Sequence, residues 1–431
     1  DHLRIKPANV LPEKLRDVFK PFAFFNPMQS KVFAKTFACD CNVLVSAPTG
    51  AGKTVISLMA ITRLLHQDPN FAAKHMSVFY IAPFKSLVNE ISEKLQSYVS
   101  CCSLTTRAVS SDTNAFQLAK CNAHIVVTVP EKFDVMLINN AQLLTSIRLV
   151  ILDEIHIVGQ DRGHVIESIV NAIKRHNRSG PAKVRLVVLS ATLPNYKAVG
   201  SWLDVPQSSI FHFDDSYRSV SLQRFLYGIS DSLRDKAAAS VKNQLVFEES
   251  LLSIKQKKQV LCFVFSRQGT VCLANELLSR YKSNSLTSLL VNSNTSRTLS
   301  SRLKLLASAE VRTLFQAGIG VHHAGLSSKE RKCIEKSFMD GSLQLLVSTS
   351  TLAWGVNLPA HRVIIASTQI TDPDTGVARD VSLLDILQMF GRAGRPDYGS
   401  EGVAVIMTAM SKVDQYVAQL TWWSAEPYTN C

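Results

Sequence analysis

Apolar positions in this chain cluster in short runs rather than alternating one by one. Runs dense in Val, Ile and Leu occur at 42–47, 77–83, 124–129, 149–154 and 184–191, with longer stretches of helical spacing between several of them. Nearly continuous apolar runs of this length predict strands covered on both faces. Between the first two, TVISLMAITRLL sets Ile56, Met59 and Leu64 near one helical face. The expected outcome is a parallel sheet with crossover helices. The segment 203–222, with Pro206 and Ser/Asp clusters, breaks the rhythm and predicts a passage between two halves. The rhythm then returns, with strands expected at 259–265, 345–350, 361–367 and 402–408. A Ser-, Asn- and Thr-rich stretch at 282–305 predicts an exposed connection. Near the end, SKVDQYVAQL (411–420) predicts a helix capped by Ser411, with Asp414 in the capping-box position. Two α/β domains follow, 1–205 and 206–431.

Composition narrows the field. With 431 residues, 46% of them hydrophobic and 19% charged, the chain buries more than one core and is not disordered. Lys+Arg exceed Asp+Glu by 47 to 34, a net charge of +13 that favours an anionic partner. Charge alone fits a nucleic acid or a membrane surface equally well. No apolar stretch reaches membrane-spanning length and no secretory signal is visible. The nine cysteines are scattered, and the close pairs Cys39/Cys41 and Cys101/Cys102 lack the flanking pattern of a zinc site, so reduced intracellular thiols are expected. Opening on Asp1 suggests a fragment or a processed product.

The chemistry begins at SAPTGAGKT (46–54), which follows an apolar run and precedes a helical pattern. Gly50 and Gly52 let the backbone turn so that its N–H groups face phosphate. Lys53 then reaches the outer phosphates of ATP, and Thr54 places its hydroxyl on Mg²⁺ at a helix N-terminus. Ala47 stands where the usual pattern has its first glycine. LVILDEIH (149–156) supplies a strand with two carboxylates at its end. Asp153 suits a Mg²⁺ contact, and Glu154 suits orienting and deprotonating the attacking water. His156 either senses the phosphate or packs beside it. Ser190 and Thr192 end the next strand and are candidates for relaying the state of Asp153.

Hydrolysis also needs positive charge opposite the phosphates. QMFGRAGRP (388–396) offers Arg392 and Arg395, three apart and so able to share one side of a helical turn, with Gln388 four residues before Arg392. The glycines of this segment predict close backbone approach. Lys53 and Glu154 belong to one half and the arginines to the other, so closure of the halves is expected to govern turnover.

These residues resemble the Ski2-like superfamily 2 helicases. FNPMQ (25–29), APTGAGKT (47–54), APFKSL (82–87), TVPEKFD (128–134), DEIH (153–156), SATLPN (190–195), FSR (265–267), HHAG (322–325), STLAWGVNLPAHRVII (350–365) and QMFGRAGRP carry the resemblance in order across nearly the whole chain. DRGHVIESIV (161–170) and FDDSYR (213–218) are most similar to the group holding the spliceosomal U5 helicase and the activating-signal cointegrator helicase, with meiotic helicases as neighbours. The resemblance implies two tandem RecA-like (P-loop NTPase) domains, each a mostly parallel sheet flanked by helices. It implies an ATP- and Mg²⁺-dependent motor moving 3′→5′ on single-stranded RNA. A nuclear, splicing-type setting with ribonucleoprotein partners is expected, and the cytoplasm is the other compartment. DNA, as for meiotic or repair helicases, and an inactive scaffold remain alternatives.

The same resemblance implies roles for individual residues. Gln29 recognises adenine, with Phe25 packing on the base. Pro83, Lys85, Thr128 and Pro130 line the nucleic-acid path in the first domain, and Ser266, Arg267, His323 and Thr349 in the second. Gly355 and Asn357 couple nucleotide to that path. Two departures stand out: Ser110, Ser111 and Asp112 replace a usual Thr-Gly-Asp, and relatives continue into winged-helix, helical-bundle and Sec63-like regions. A chain ending at Cys431 is therefore expected to hydrolyse ATP but to unwind weakly, unless the protein is longer.

Overall fold

The computed structural model describes residues 4–68, 71, 76–109, 122–140, 142–159, 163–180, 182–218, 220–291, 293–355, 358–371, 377–394 and 401–422. Two compact units divide between Arg218 and Ser219. The division falls later than the expected 205/206 boundary for a physical reason. Residues 210–212, taken above as passage, form a strand that pairs with the first sheet through Leu44–Ile210 and Ser46–His212.

Among the described residues, the first unit holds seven parallel strands. β1 (Val43–Ser46), β2 (Val78–Ile81), β3 (Thr106–Val109), β4 (Ile125–Thr128), β5 (Leu149–Leu152), β6 (Arg185–Ser190) and β7 (Ile210–His212) lie in the order β3-β4-β2-β5-β6-β1-β7. The five strands expected from apolar runs are all present. Each is buried on both faces, because successive side chains point to opposite sides of the sheet. Val43, Val45, Val78, Tyr80, Ile125 and Val127 enter one core with Met28, Val32, Ile56 and Met59. Leu44, Phe79, Val126 and Val150 are equally buried on the other side, where Phe79 meets Phe133 of helix Pro130–Asn139 at 4.7 Å. β3 and β7 escaped the sequence pattern because they are edge strands whose residues are mostly half-buried.

Among the described residues, the second unit has six parallel strands in one sheet. β8 (Ser221–Ile229), β9 (Val260–Val264), β10 (Ile319–His322), β11 (Leu345–Thr349), β12 (Arg362–Ile365) and β15 (Glu401–Ala409) run in the order β10-β11-β9-β12-β15-β8. β13 (Gln369–Thr371) and β14 (Ala378–Asp380) form a separate antiparallel pair. The long edge strand β8 pairs with β15 over its whole length. It was hidden because Ser221, Gln223 and Phe225 face solvent between half-buried residues.

Two expectations need correction here. The polar stretch 282–305 is not an exposed connection: it contains helix Ser293–Arg302 and sends Leu290 and Leu299 into the core. Ser411 does not cap the last helix. It lies in a 3-10 turn, and its N–H and hydroxyl both donate to the Asp231 carboxylate, at 2.9 and 3.1 Å, while the helix runs Val413–Trp422. Among the described residues, no helix is long and apolar enough to cross a membrane.

Candidate active site

Parallel strands all end on one edge of their sheet, and strand order decides which ends are neighbours. In the first unit, β5, β6 and β1 are adjacent. They deliver, respectively, Asp153 and Glu154, Ser190, and the loop that starts at Ser46. Neighbouring strands are about 4.8 Å apart, so residues separated by over a hundred positions converge. The backbone confirms this: Ala47 N–H donates to Ser190 O at 3.1 Å.

The loop is shaped by its glycines. Gly50 and Gly52 have φ of +83° and +88°, in the left-handed region that side chains disfavour. Gly52 also has no room, since a Cβ there would lie 2.5 Å from Gln29 Nε2. Helix Thr54–Gln67 begins immediately after, so its unpaired N–H groups and positive dipole end face the loop. The Lys53 ammonium is buried and donates to Ala47 O (2.9 Å) and Pro48 O (3.3 Å).

Helix Pro27–Phe37 clamps the loop from the side. Asn26 and Gln29 form a reciprocal capping box, with Gln29 N–H on Asn26 Oδ1 and Asn26 N–H on Gln29 Oε1. Their remaining amide groups donate outward, Asn26 Nδ2 to Ala51 O at 2.8 Å and Gln29 Nε2 to Gly52 O at 3.1 Å. Gln29 is thus buried against the loop itself. Phe25 is not a surface for a base: it is fully buried and packs edge-on against Phe19 at 5.4 Å, because the aromatic run belongs to the core.

The acidic pair is strained in two ways. Glu154 has φ +53°, in the left-handed region that side chains disfavour. Asp153 Oδ2 accepts the Tyr80 hydroxyl at 2.6 Å, and Oδ1 accepts the Glu154 N–H at 3.0 Å. Burial, and then the Glu154 carboxylate, still hold the Asp153 carboxyl up at about 7, against the pull of Tyr80 and of the Lys53 charge. Burial and the Asp153 charge push the Tyr80 phenol well above its usual range, so it stays a donor. Two crowded carboxylates near a lysine suit a divalent cation. Mg²⁺ takes few protein oxygens beside phosphate and water, and Asp153 with the Thr54 hydroxyl fits that donor set.

His156 is buried and joins the pair to the next strand. Its Nδ1 lies 3.3 Å from Glu154 Oε2 and 3.4 Å from Ser190 Oγ, and accepts the Ala191 N–H at 3.3 Å. Ser46 ties the same segment to β1, accepting the Leu193 N–H at 2.8 Å. Thr192 lies between these two anchored residues. Asn26, Ser46 and Tyr80 were missed from sequence. The Asn-Pro-x-Gln spacing could have revealed Asn26, whereas Ser46 and Tyr80 depend on strand order.

The expected nucleic-acid residues lie along the same edges. Pro83 follows β2, Lys85 opens helix Lys85–Val99, Thr128 ends β4 and Pro130 opens helix Pro130–Asn139. Lys85 is exposed, but Thr128 is fully buried and its hydroxyl donates to Val109 O at 2.8 Å, so its side chain serves the sheet. In the second unit, β10, β11 and β9 are adjacent. His323, Thr349 and Ser266–Arg267 extend from their ends. Ser266 Oγ caps helix Arg267–Ser283, Arg267 is exposed, and Thr349 Oγ1 pairs with Thr351 Oγ1 at 2.9 Å. Burial and the neighbouring His322 and Arg267 lower the His323 pKa, and its Nδ1 accepts the Gly325 N–H at 3.1 Å.

Gln388 is buried in helix Leu383–Phe390. Arg392 lies past the end of that helix, which stops at Phe390, and its guanidinium donates to Ala353 O of helix Thr351–Gly355. Gly394 has an intramolecular reason to be glycine, with φ +88° and a Cβ position only 2.7 Å from Val220 Cγ1. Gly355 ends its short helix. Arg395, Asn357, Ser110, Ser111 and Asp112 lie outside the described residues.

Residues 26–199 match the DEAD/DEAH box helicase family model, and residues 271–397 match the helicase conserved C-terminal domain. The chain is similar to activating signal cointegrator 1 complex subunit 3 of Dictyostelium discoideum, 36% identical over 97% of this chain and 19% of that protein. It is similar to the U5 small nuclear ribonucleoprotein 200 kDa helicase of Drosophila melanogaster, 36% identical over 96% of this chain and 20% of that protein. The pre-mRNA-splicing factor brr2 of Schizosaccharomyces pombe matches at 36% over 96% of this chain and 19% of its own length. The chain spans about a fifth of the length of these relatives.

Proposed function

Since the chain belongs to the DEAD/DEAH box helicases, in the Ski2-like group with the U5 200 kDa helicases, we propose that it is the ATP-hydrolysing motor core of an RNA helicase. One observation carries this reading: adjacent strands bring a glycine-turned loop with a buried lysine, an acidic pair and a relay serine to one sheet edge. Bound Mg²⁺ would neutralise phosphate charge. Lys53 and the loop N–H groups hold the triphosphate, and Asp153 and Thr54 hold the cation. Glu154 takes the proton of the attacking water, and Gln388 helps to orient that water. Arg392 and Arg395 stabilise charge on the transferring phosphoryl group, so turnover depends on residues of both units.

His156 bridges Glu154 to Ser190, and with Thr192 this forms the first step of coupling between hydrolysis and strand grip, with Gly355 and Asn357 completing it. Gln29 both sets the loop and reads adenine. The nucleic-acid path uses Pro83, Lys85, Pro130 and the Thr128 backbone, then Ser266, Arg267, His323 and Thr349, without base readout. RNA is favoured because the relatives named for a substrate or assembly are ribonucleoprotein or splicing proteins. The same names support a nuclear setting among ribonucleoprotein partners.

The test is steady-state ATPase activity with matched single strands. RNA should stimulate turnover more than DNA, and Glu154→Gln should abolish it. Stronger stimulation by DNA would replace the substrate reading, and turnover surviving in the glutamine variant would remove Glu154 from its role. Movement 3′→5′ predicts displacement of streptavidin from a 5′-biotinylated strand; displacement only from the 3′ end would reverse the direction.

A further inference from the structure

Two cysteines that the nucleotide site does not use face each other. Cys39 and Cys41 lie in the turn that joins helix Pro27–Phe37 to β1, with their sulfurs 2.7 Å apart. That is closer than two sulfurs in van der Waals contact. The Cys41 N–H points at Cys39 Sγ from 3.3 Å, closing the turn around that sulfur, and Cys41 Sγ lies 3.2 Å from Ser209 Oγ. Both residues are partly exposed. Cys41 also borders a cavity of about 580 Å³ whose lining includes Arg148, Arg178, Lys183 and Arg185, giving small oxidants a route in.

The two thiols are not equivalent. The hydrogen bond with Cys41, with help from the Arg185 and Lys35 charges, lowers the Cys39 pKa despite burial, while burial raises that of Cys41. A thiol that ionises more readily beside one that keeps its proton is the arrangement of an attacking and a resolving cysteine.

We propose that Cys39 and Cys41 form a reversible disulfide in the presence of hydrogen peroxide, and that this bond weakens nucleotide binding. The Cys39 thiolate attacks one peroxide oxygen; the S–O bond forms, the O–O bond breaks and hydroxide leaves, taking up a proton to become water. Cys41 then attacks the Cys39 sulfenic sulfur, the S–S bond forms, and the sulfenic hydroxyl leaves with the Cys41 proton as water. Two thiols lose two electrons and one peroxide becomes two waters. A small dithiol restores the reduced pair by exchange.

The link to the nucleotide loop is geometric. At one end, helix Pro27–Phe37 grips the loop through Asn26 and Gln29. At the other, β1 runs directly into it. Arg185 fastens the turn between them, donating from Nη2 to Lys35 O and Thr36 O at 3.0 Å each and from Nε to Cys41 O at 2.9 Å. Closing a three-residue disulfide ring re-aims the Cys41 carbonyl, and that displacement reaches both ends of the clamp. The nucleotide consequence rests on residues 46–54 being the ATP loop; the disulfide itself does not.

Both cysteines fall on the tryptic fragment 36–53, which makes the test direct. The full chain is exposed to graded hydrogen peroxide, denatured, alkylated with N-ethylmaleimide and analysed by mass spectrometry. The fragment should become lighter by two hydrogens and unlabelled before Cys101 and Cys102 react, and dithiothreitol should restore both labels. In Cys41→Ser, dimedone should trap a sulfenic acid on Cys39. Full labelling of the fragment at peroxide doses that oxidise Cys101 and Cys102 overturns the proposal, as does oxidation of Cys39 to a sulfinic acid without a disulfide. Titration with fluorescent ADP should show several-fold weaker binding to the oxidised chain, reversed by dithiothreitol and missing in Cys39→Ser. Equal affinity in both redox states overturns the coupling. Failure of the reduced chain to bind overturns the ATP-loop reading instead, and leaves the mass test standing.

Discussion

Replacing Asp153 with asparagine should stabilise the metal-free chain, and only above mildly acidic pH. In the folded chain the Asp153 carboxyl sits at about 7, against 3.8 ordinarily, chiefly because it is buried beside Glu154. Between those values the folded state holds a proton that the unfolded state has released. Stability from this group is therefore complete below the unfolded value and lost as pH rises towards 7. The difference of about three pH units corresponds to about 4 kcal/mol at 1.36 kcal/mol per unit. Asp153 is partly accessible as a residue, so water screens some of this, and about 2 kcal/mol is the expected share. Asparagine carries no charge at any of these pH values, and its amide can still meet the Glu154 N–H and the Tyr80 oxygen. Urea unfolding in EDTA at a series of pH values between about 4.5 and 8 measures the difference. The asparagine variant should gain on the wild type mainly between about pH 5 and 7. Parallel curves for the two proteins would refute the reasoning, because the carboxyl would then titrate alike in both states.

Four further outcomes can be checked. Gly52→Ala adds a Cβ 2.5 Å from Gln29 Nε2 at φ +88°, whereas Gly50→Ala meets nothing within 4 Å at φ +83°. The backbone cost is about 1–2 kcal/mol for each, so fluorescent-nucleotide affinity should fall in both and further at Gly52; equal losses would show that Gln29 does not support the loop. Lys53→Ala should weaken nucleotide binding and turnover together. Arg395→Ala should leave binding largely intact and slow turnover by roughly 10³-fold, and equal loss of binding in the two variants would remove the arginine from a transition-state role. Arg362 pairs with Glu249, which also accepts the Tyr227 hydroxyl, and both side chains of the pair are buried. Arg362→Met should cost about 3–5 kcal/mol by stranding that carboxylate, and Arg362→Met with Glu249→Leu should recover most of it in urea unfolding; no recovery would mean the arginine acts through packing.

Much of this protein was legible along the chain because the signals are local. A strand covered on both faces needs an unbroken apolar run, so nine of the parallel strands could be placed from Val, Ile and Leu density alone. The phosphate loop and the acidic pair were equally plain, since tight turns need glycine and a cation site needs carboxylates at a strand end. Edge strands such as β7 and β8 were not, because half their surface is wet and their sequences stay mixed.

What residue spacing could not decide is which strand lies beside which. Parallel pairing joins segments far apart in sequence, and nothing in β1 names β6 as its neighbour. Only the folded sheet puts Tyr80 on Asp153, Ser46 on Leu193 and His156 beside Ser190. It also turns Phe25 into the core and Thr128 into the sheet. Chain chemistry supplied the reactive groups; long-range packing chose their partners, because burial and hydrogen bonding are satisfied only once the whole sheet has assembled.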